Sequence, residues 1–307
     1  VEFFGFDIGG TEIKWAAMKQ NYEITARGSL PTPQTGAEDL LDVLFPLAGC
    51  GRYAGIGVSV PGYISDGVSG IVRGGGHLRY LDGFPLGAAL RERCETPVYV
   101  ENDGKCCAVG EYEFGALRGS HIGVVLNIGT GIGGGIVIDG TVLKGSHAFA
   151  GEFSFILTGP EKNASTFGLA GGWQNGLMRR IIAEKGLPRG TKMSGFEMFD
   201  HIKAGDPAAL RALDGYAGAL ALQIYNLQAI IDPDVFAIGG GIGCEPALID
   251  AVRLGVRRLI GDNPMKIPVP NVVPAATGKD SNLLGAVCAL RKNLVNTGDQ
   301  NEKFFPG

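Results

Sequence analysis

Apolar and polar positions along the chain fall into two similar stretches. In the first, short apolar runs at residues 2–6, 13–18, 24–29, 55–60 and 98–101 read as strands. Helical spacing marks 37–47 and 86–93, and a further helix opens just after Asp103. From about residue 121 the pattern restarts with a glycine-rich strand pair, 121–126 and 133–138. It then turns more helical through 173–185, 196–204 and 207–231. A short strand at 235–238, a helix from Pro246, a strand at 272–273 and a helix at 283–292 follow. Such alternation predicts an α/β protein with mixed sheets.

Both stretches open on the same unit, a strand, a glycine turn and a second strand. The first reads Asp7-Ile8-Gly9-Gly10-Thr11 and the second Asn127-Ile128-Gly129-Thr130-Gly131. Glycine turns present backbone N–H groups with no Cβ in the way, and such turns hold phosphate oxygens. The repeat therefore predicts two related lobes that clamp a nucleotide. The expected division is 1–118 joined by a returning helix at 283–295, then 119–282. A polar, mobile tail is expected at 296–307.

Composition narrows the class. The chain has 307 residues, 45% hydrophobic and 19% charged, with a net charge of −4, which argues against a broad footprint for nucleic acid. Its 51 glycines gather at strand ends such as 74–76, 129–135 and 239–243, as expected of turns facing a ligand. No apolar run is long enough to predict a membrane span, and no basic leader precedes the first strand. Six cysteines without a CxxC pair read as reduced, mostly buried thiols. A cytoplasmic protein is expected.

Three motifs carry candidate chemistry. In the run from Asp7 to Lys14, the carboxylate could hold Mg²⁺ through water while Gly9, Gly10 and Thr11 contact phosphates; a tight hairpin capped by Asp is the alternative. Gly239-Gly240-Gly241-Ile242-Gly243 follows an apolar strand and opens a helix, which suits either a ligand against bare backbone or close helix packing. Glu101-Asn102-Asp103 lies at the carboxyl end of a β-branched strand, the edge where α/β folds place ligands. Asp103 could accept a proton from a hydroxyl during phosphoryl transfer, or cap the helix from Gly104.

These motifs, with Ala150-Gly151-Glu152, come in an order that resembles the ROK family of repressors, open reading frames and sugar kinases. The resemblance spans nearly the whole chain. It implies the two-lobed, actin-like ATPase (ribonuclease H-like) fold with duplicated βββαβα-type halves. It also implies an ATP-dependent sugar kinase with Mg²⁺, active on a sugar hydroxyl, usually at C6, and commonly a homodimer. Asp103 then matches the catalytic base, with Asn102 and Glu152 on sugar hydroxyls. Gly129, Thr130 and Gly131 join Gly9–Thr11 on phosphates, and Gly239, Gly240 and Gly241 lie along the adenosine. Gly62 falls in the sugar-side loop, and His77 stands where an Asn is common.

The pattern breaks after Glu152. The family's zinc-binding His position is Phe155, and residues 157–172 contain no Cys, so no structural zinc is expected. An aromatic face in place of His suits a β-glucoside, with N-acetylmannosamine as the alternative substrate; Phe155 could equally be a core replacement for the metal. A sugar-sensing protein without kinase activity is the competing class. Trp173, Met178 and Phe199 read as core, Glu111 and Glu113 as a solvated face, and His147 as a loop residue. Lys105 could stabilise Asp103 or point to solvent. Cys106 and Cys107 read as small packing residues, with a reactive thiol as the alternative.

Overall fold

Ten strands and nine helices follow one another among the described residues, which in this computed structural model are 1–161, 165–261 and 264–304, with side chains through 297. The order is β1 (Glu2–Ile8), β2 (Glu12–Lys19), β3 (Ile24–Pro31), α1 (Ala37–Ala48), β4 (Ile56–Val60), α2 (Leu86–Cys94), β5 (Val98–Asn102) and α3 (Asp103–Phe114). There follow β6 (Ile122–Ile128), β7 (Ile132–Ile138), β8 (Thr141–Val142), α4 (Phe167–Gly171), α5 (Arg179–Glu184), α6 (Gly195–Lys203) and α7 (Pro207–Ile231). The last are β9 (Val235–Gly240), α8 (Pro246–Ile260), β10 (Val272–Pro274) and α9 (Ser281–Phe304). The chain divides into two units. Unit 1 comprises Val1–Glu113, Val142–Ala150 and the chain from Lys279; unit 2 comprises Phe114–Thr141 and Gly151–Gly278.

Unit 1 is a sheet of order β3-β2-β1-β4-β5, antiparallel across β1, β2 and β3 and parallel from β1 through β4 to β5. Both faces are covered, so β1 is apolar nearly throughout. Phe4, Phe6 and Ile8 pack with Leu40 and Leu44 of α1 and Leu86 and Leu90 of α2. On the other face Phe3, Ala16 and Met18 meet Leu283, Val287 and Leu290 of α9. That helix lies almost on the backbone: a Cβ at Gly57 would stand 2.4 Å from the Ala286 carbonyl oxygen. A Cβ at Gly285 would stand 1.8 Å from the Cys106 carbonyl oxygen of α3.

Unit 2 has the order β10-β9-β6-β7-β8, which read from its other end repeats the connectivity of unit 1. β6 pairs antiparallel with β7 and parallel with β9. The 25-residue α7 fills its core with Leu213, Tyr216, Leu220 and Ile224. Its start is set by Asp206, whose side chain accepts from the Ala208 and Ala209 N–H groups, and by Pro207 in the first turn.

Several expectations change. The helix read at 173–185 is broken, because Gln174–Met178 forms a π turn before α5. Residues 142–150 group with unit 1, a return that the division at 118 does not contain. α9 continues to Phe304, past residue 296, where the expectation has a polar, mobile tail begin; residues 305–307 lie outside the described residues. Trp173 and Met178 pack against the core and Phe199 is buried within it. No helix among the described residues is long and apolar enough to cross a membrane.

The closeness of α9 to α3 yields a prediction. Gly285→Ala must move backbone, so it should lower stability by about 1–3 kcal/mol, read as a fall in the urea midpoint at unchanged slope.

Candidate active site

Three parallel strands of unit 1 end at one edge with their residues in register: Asp7 beside Ser59, and Ser59 beside Glu101. Ser59 Oγ donates to Asp7 Oδ1 at 2.8 Å, and Asn282 Nδ2 of α9 donates to the same oxygen at 3.0 Å. No donor among the described residues reaches Asp7 Oδ2. Glu101 is buried and ion-paired with Lys144 at 2.7 Å, while its other oxygen accepts from the Asn102 N–H at 3.0 Å. Burial pulls the Lys144 pKa down, but the Glu101 carboxylate and the Tyr99 hydroxyl outweigh it and hold the ammonium above its ordinary value.

Asn102 and Asp103 divide the work at the start of α3. Asn102 Oδ1 accepts from the Lys105 N–H at 3.0 Å, so Asn102 is the cap and Asp103 the first helical residue. The capping role weighed for Asp103 is thereby filled by its neighbour. Asn102 Nδ2 donates to the Gly62 carbonyl at 2.9 Å and to Asp103 Oδ1 at 3.1 Å, and the Gly104 N–H donates to that same oxygen at 2.8 Å. Gly62 has φ 111°, and a Cβ there would stand 2.6 Å from the Arg73 carbonyl oxygen, so this loop needs glycine. Asp103 sits half-buried at the amino end of a helix, where the dipole favours negative charge.

The first glycine turn is tied down through its carbonyls. The Gly9 N–H donates to Glu12, and the Gly9 carbonyl accepts from Thr32 Oγ1 at 2.7 Å. The Gly10 carbonyl accepts from Gln34 Nε2 at 2.9 Å, and the Thr11 carbonyl from the Thr32 N–H at 3.0 Å. With the carbonyls engaged, the Gly10 and Thr11 N–H groups find no acceptor among the described residues. A Cβ at Gly10 would lie 3.1 Å from His77 Cβ, which places exposed His77 beside this turn. Lys14 stands opposite Asp7 in the β1–β2 register and lines an open cleft of about 330 Å³ with Arg27, Lys279 and Asp280.

Unit 2 repeats the device. The Gly129 N–H donates to the Gly131 carbonyl at 2.9 Å, and the Gly129 carbonyl accepts from the Trp173 N–H at 3.1 Å. The Thr130 and Gly131 N–H groups again find no acceptor among the described residues. Ser154 secures the turn, accepting from the Ile132 N–H at 3.3 Å and donating to the Ile132 carbonyl at 2.7 Å. At the neighbouring strand end the glycines separate by purpose. Cβ atoms at Gly239, Gly240 and Gly243 would meet Asn127 Oδ1 at 2.6 Å, the Ile128 carbonyl at 2.3 Å and the Gly239 carbonyl at 1.8 Å. Gly241 has nothing within 4 Å. Glu152 is half-buried at the head of the 3₁₀ turn Phe153–Phe155, and Phe155 is 52% exposed, so it does not fill a core.

Glu111 is fully buried and Glu113 pairs with Lys292 at 2.6 Å, so these two do not form a solvated face. Lys105 is buried and does not point to solvent. Burial, with the Glu101, Asp7 and Asp103 charges, pushes the Cys106 thiol well up, against a reactive thiolate. Cys50 and Cys244 are exposed, and His147 is an exposed loop residue. Among the described residues no three His, Cys, Asp or Glu side chains cluster to hold a metal; residues 162–164, within the stretch expected to lack a zinc site, lie outside them. Motif reading missed Ser59, Asn282, Thr32, Gln34, Ser154 and Lys144; only Ser59, a lone hydroxyl in an apolar strand, carried a local signal.

The order of these turns along two like-connected sheets is matched by the model of the ROK family over residues 3–293. The chain belongs to this family. This ROK chain is 34% identical over 253 residues to the beta-glucoside kinase of Klebsiella pneumoniae, covering 81% of this chain and 84% of the relative. It is 33% identical over 284 residues to the bifunctional enzyme NanE/NanK of Brucella melitensis; 91% of this chain is covered, and the chain spans about half (52%) of that longer protein. A ROK family glucokinase from Streptomyces griseus, solved with glucose and AMPPNP, matches with a TM-score of 0.78 at 26% identity over 95% of this chain and 100% of that one. The ROK chain thus has the actin-like ATPase fold.

The glycine contrast in unit 2 is testable by thermal melting. Gly243→Ala should lower the midpoint by several degrees, whereas Gly241→Ala should leave it within about a degree, because only the first collides with backbone.

Proposed function

We propose that this ROK chain is an ATP-dependent sugar kinase that phosphorylates a hexose or hexoside, at the 6-hydroxyl, with Asp103 as general base. The observation that carries the reading is the pairing at α3. Asn102 takes the helix cap, so Asp103 is a carboxylate held at a parallel-strand edge for another purpose. Membership of the ROK family and likeness to a glucokinase solved with glucose and AMPPNP support it.

In this reaction the acceptor hydroxyl gives its proton to Asp103 as its oxygen bonds to the γ-phosphorus. The bond from that phosphorus to the β–γ bridging oxygen breaks, the bridging oxygen keeps the electron pair, and ADP leaves. Asp103 later returns the proton to water. Asn102, Glu152, Gly62 and His77 serve the sugar. The N–H groups of Gly10, Thr11, Thr130 and Gly131 take phosphate oxygens, Lys14 adds positive charge, and Gly241 borders the adenosine while Gly239 and Gly240 shape the turn. Asp7 fits a hydrated Mg²⁺, because both protein donors fall on Oδ1 and Oδ2 remains an anionic acceptor. When bound there, the ion would offset charge on the phosphates.

A β-glucoside or glucose is the favoured acceptor. Glu152 and Phe155 lie three residues apart across a 3₁₀ turn, a spacing that brings such positions to one side, and the Phe155 ring is exposed, as a ring meant for a sugar face would be. N-acetylmannosamine is the second reading, supported by likeness to the NanE/NanK enzyme. ADP release should be measured with Mg-ATP against glucose, cellobiose, N-acetylmannosamine, N-acetylglucosamine, mannose and fructose. Turnover of a β-glucoside or glucose is expected. Asp103→Asn should cut kcat at least about 100-fold with calorimetric sugar binding nearly intact. Unchanged turnover in that variant removes Asp103 from the mechanism, and silence across the panel with sugar still bound makes the protein a sensor.

A further inference from the structure

Residues 142–150 leave the β6–β7–β8 region and return to unit 1. Positive φ at Gly145 (71°) and Ala148 (56°), and the Ala150 N–H bonded to the Lys144 carbonyl at 3.1 Å, fold them into a tight loop. Two side chains anchor it. Phe149 meets Tyr63 edge-on at 5.3 Å between ring centres, one residue beyond Gly62. Lys144 reaches Glu101 at 2.7 Å, Tyr99 Oη at 3.3 Å and the Ile64 carbonyl at 3.5 Å.

We propose that Lys144 is a positioning residue for phosphoryl transfer, acting on Asp103 through Glu101 and Asn102; this rests on the sugar-kinase reading above. Each link is short: Lys144 Nζ to Glu101 Oε2, then the Asn102 N–H to Glu101 Oε1 at 3.0 Å, then Asn102 Nδ2 to Asp103 Oδ1 at 3.1 Å. Asn102 is also the cap of α3, so whatever fixes its main chain fixes the first turn on which Asp103 stands. The charges give the reason for a cation here. Glu101, with its side chain 3% exposed, lies one strand from Ser59, which itself bonds Asp7, and two residues from Asp103. A buried carboxylate in such acidic company keeps its charge and orientation only with a counter-ion against it. Without Lys144, the unpaired Glu101 carboxylate turns out of its buried seat, and the Asn102 N–H loses its acceptor. A small displacement of Asp103 then slows proton transfer while contacts with the sugar's other hydroxyls persist.

The test is steady-state kinetics on the best sugar of the panel. Lys144→Met should lower kcat about tenfold or more with sugar and ATP KM within about threefold, and Lys144→Arg should restore most of the rate. Adding Glu101→Gln to Lys144→Met removes the unpaired carboxylate, and should recover at least threefold of the lost kcat. A Lys144→Met enzyme with wild-type kcat, or a double variant as slow as the single one, overturns the relay while leaving the kinase reading in place. Should Lys144→Met not fold, Lys144→Gln is read in the same way: a smaller kcat loss at constant KM supports the relay, and an unaltered kcat overturns it. Wild-type protein inactive on every sugar removes the kinase reading, and the relay with it.

Discussion

The backbone-to-backbone closeness of α9 is the constraint on which unit 1 rests. No side chain can stand at Gly57 facing Ala286, or at Gly285 facing Cys106. A third close approach, Gly110 to the Ser281 carbonyl at 2.4 Å from an added Cβ, fixes the start of α9 against α3. Because the helix lies this low, Phe3, Ala16 and Met18 are covered and Asn282 comes within bonding distance of Asp7. The same seating steadies α3, whose first turn carries Asp103. The chemistry at the strand edge is therefore held by glycines remote from it in sequence.

The two units share a strand order and a turn design but differ in what stands beside the turn. In each turn the carbonyls are engaged by nearby donors or packed against backbone, and two N–H groups find no acceptor among the described residues. Unit 1 adds carboxylates along one strand edge, with Asp7 on β1, Glu101 on β5 and Asp103 in the first turn of α3. Unit 2 adds bare backbone, where Gly239, Gly240 and Gly243 permit a tight crossing and Gly241 alone borders open space. One duplicated scaffold thus carries carboxylates at a strand edge in unit 1 and bare backbone at a strand end in unit 2.

Much of this was legible from local sequence. Glycine turns, Asp7 and the Asn102-Asp103 pair announce themselves because the residues that define them are neighbours, and strand and helix positions followed from periodicity. What stayed hidden depends on distant pairing. Ser59 lies 52 residues from Asp7 and Asn282 lies 275 away, so nothing in the turn motif points to either. Lys144 stands in no motif, and only the fold of its loop brings it to Glu101. That Asn102 rather than Asp103 caps α3 does not follow from residue type, since both are good caps; the bond from the Lys105 N–H shows it. Glu111 was misread because a charged residue past a helix start is ordinarily solvated, whereas here α3 is enclosed around most of its circumference.

The chain enters unit 1 three times, and α9 comes from the last of those passages. During synthesis the sheet β1–β5 is complete long before residues 281–304 exist. Until then the face bearing Phe3, Gly5, Ala16 and Met18 has no helix over it, and the groove made by Gly57 is open. A nascent chain would hold this unit as an unfinished, sticky half-structure while all of unit 2 is made, which is the interval in which a chaperone or a misplaced helix finds an opportunity.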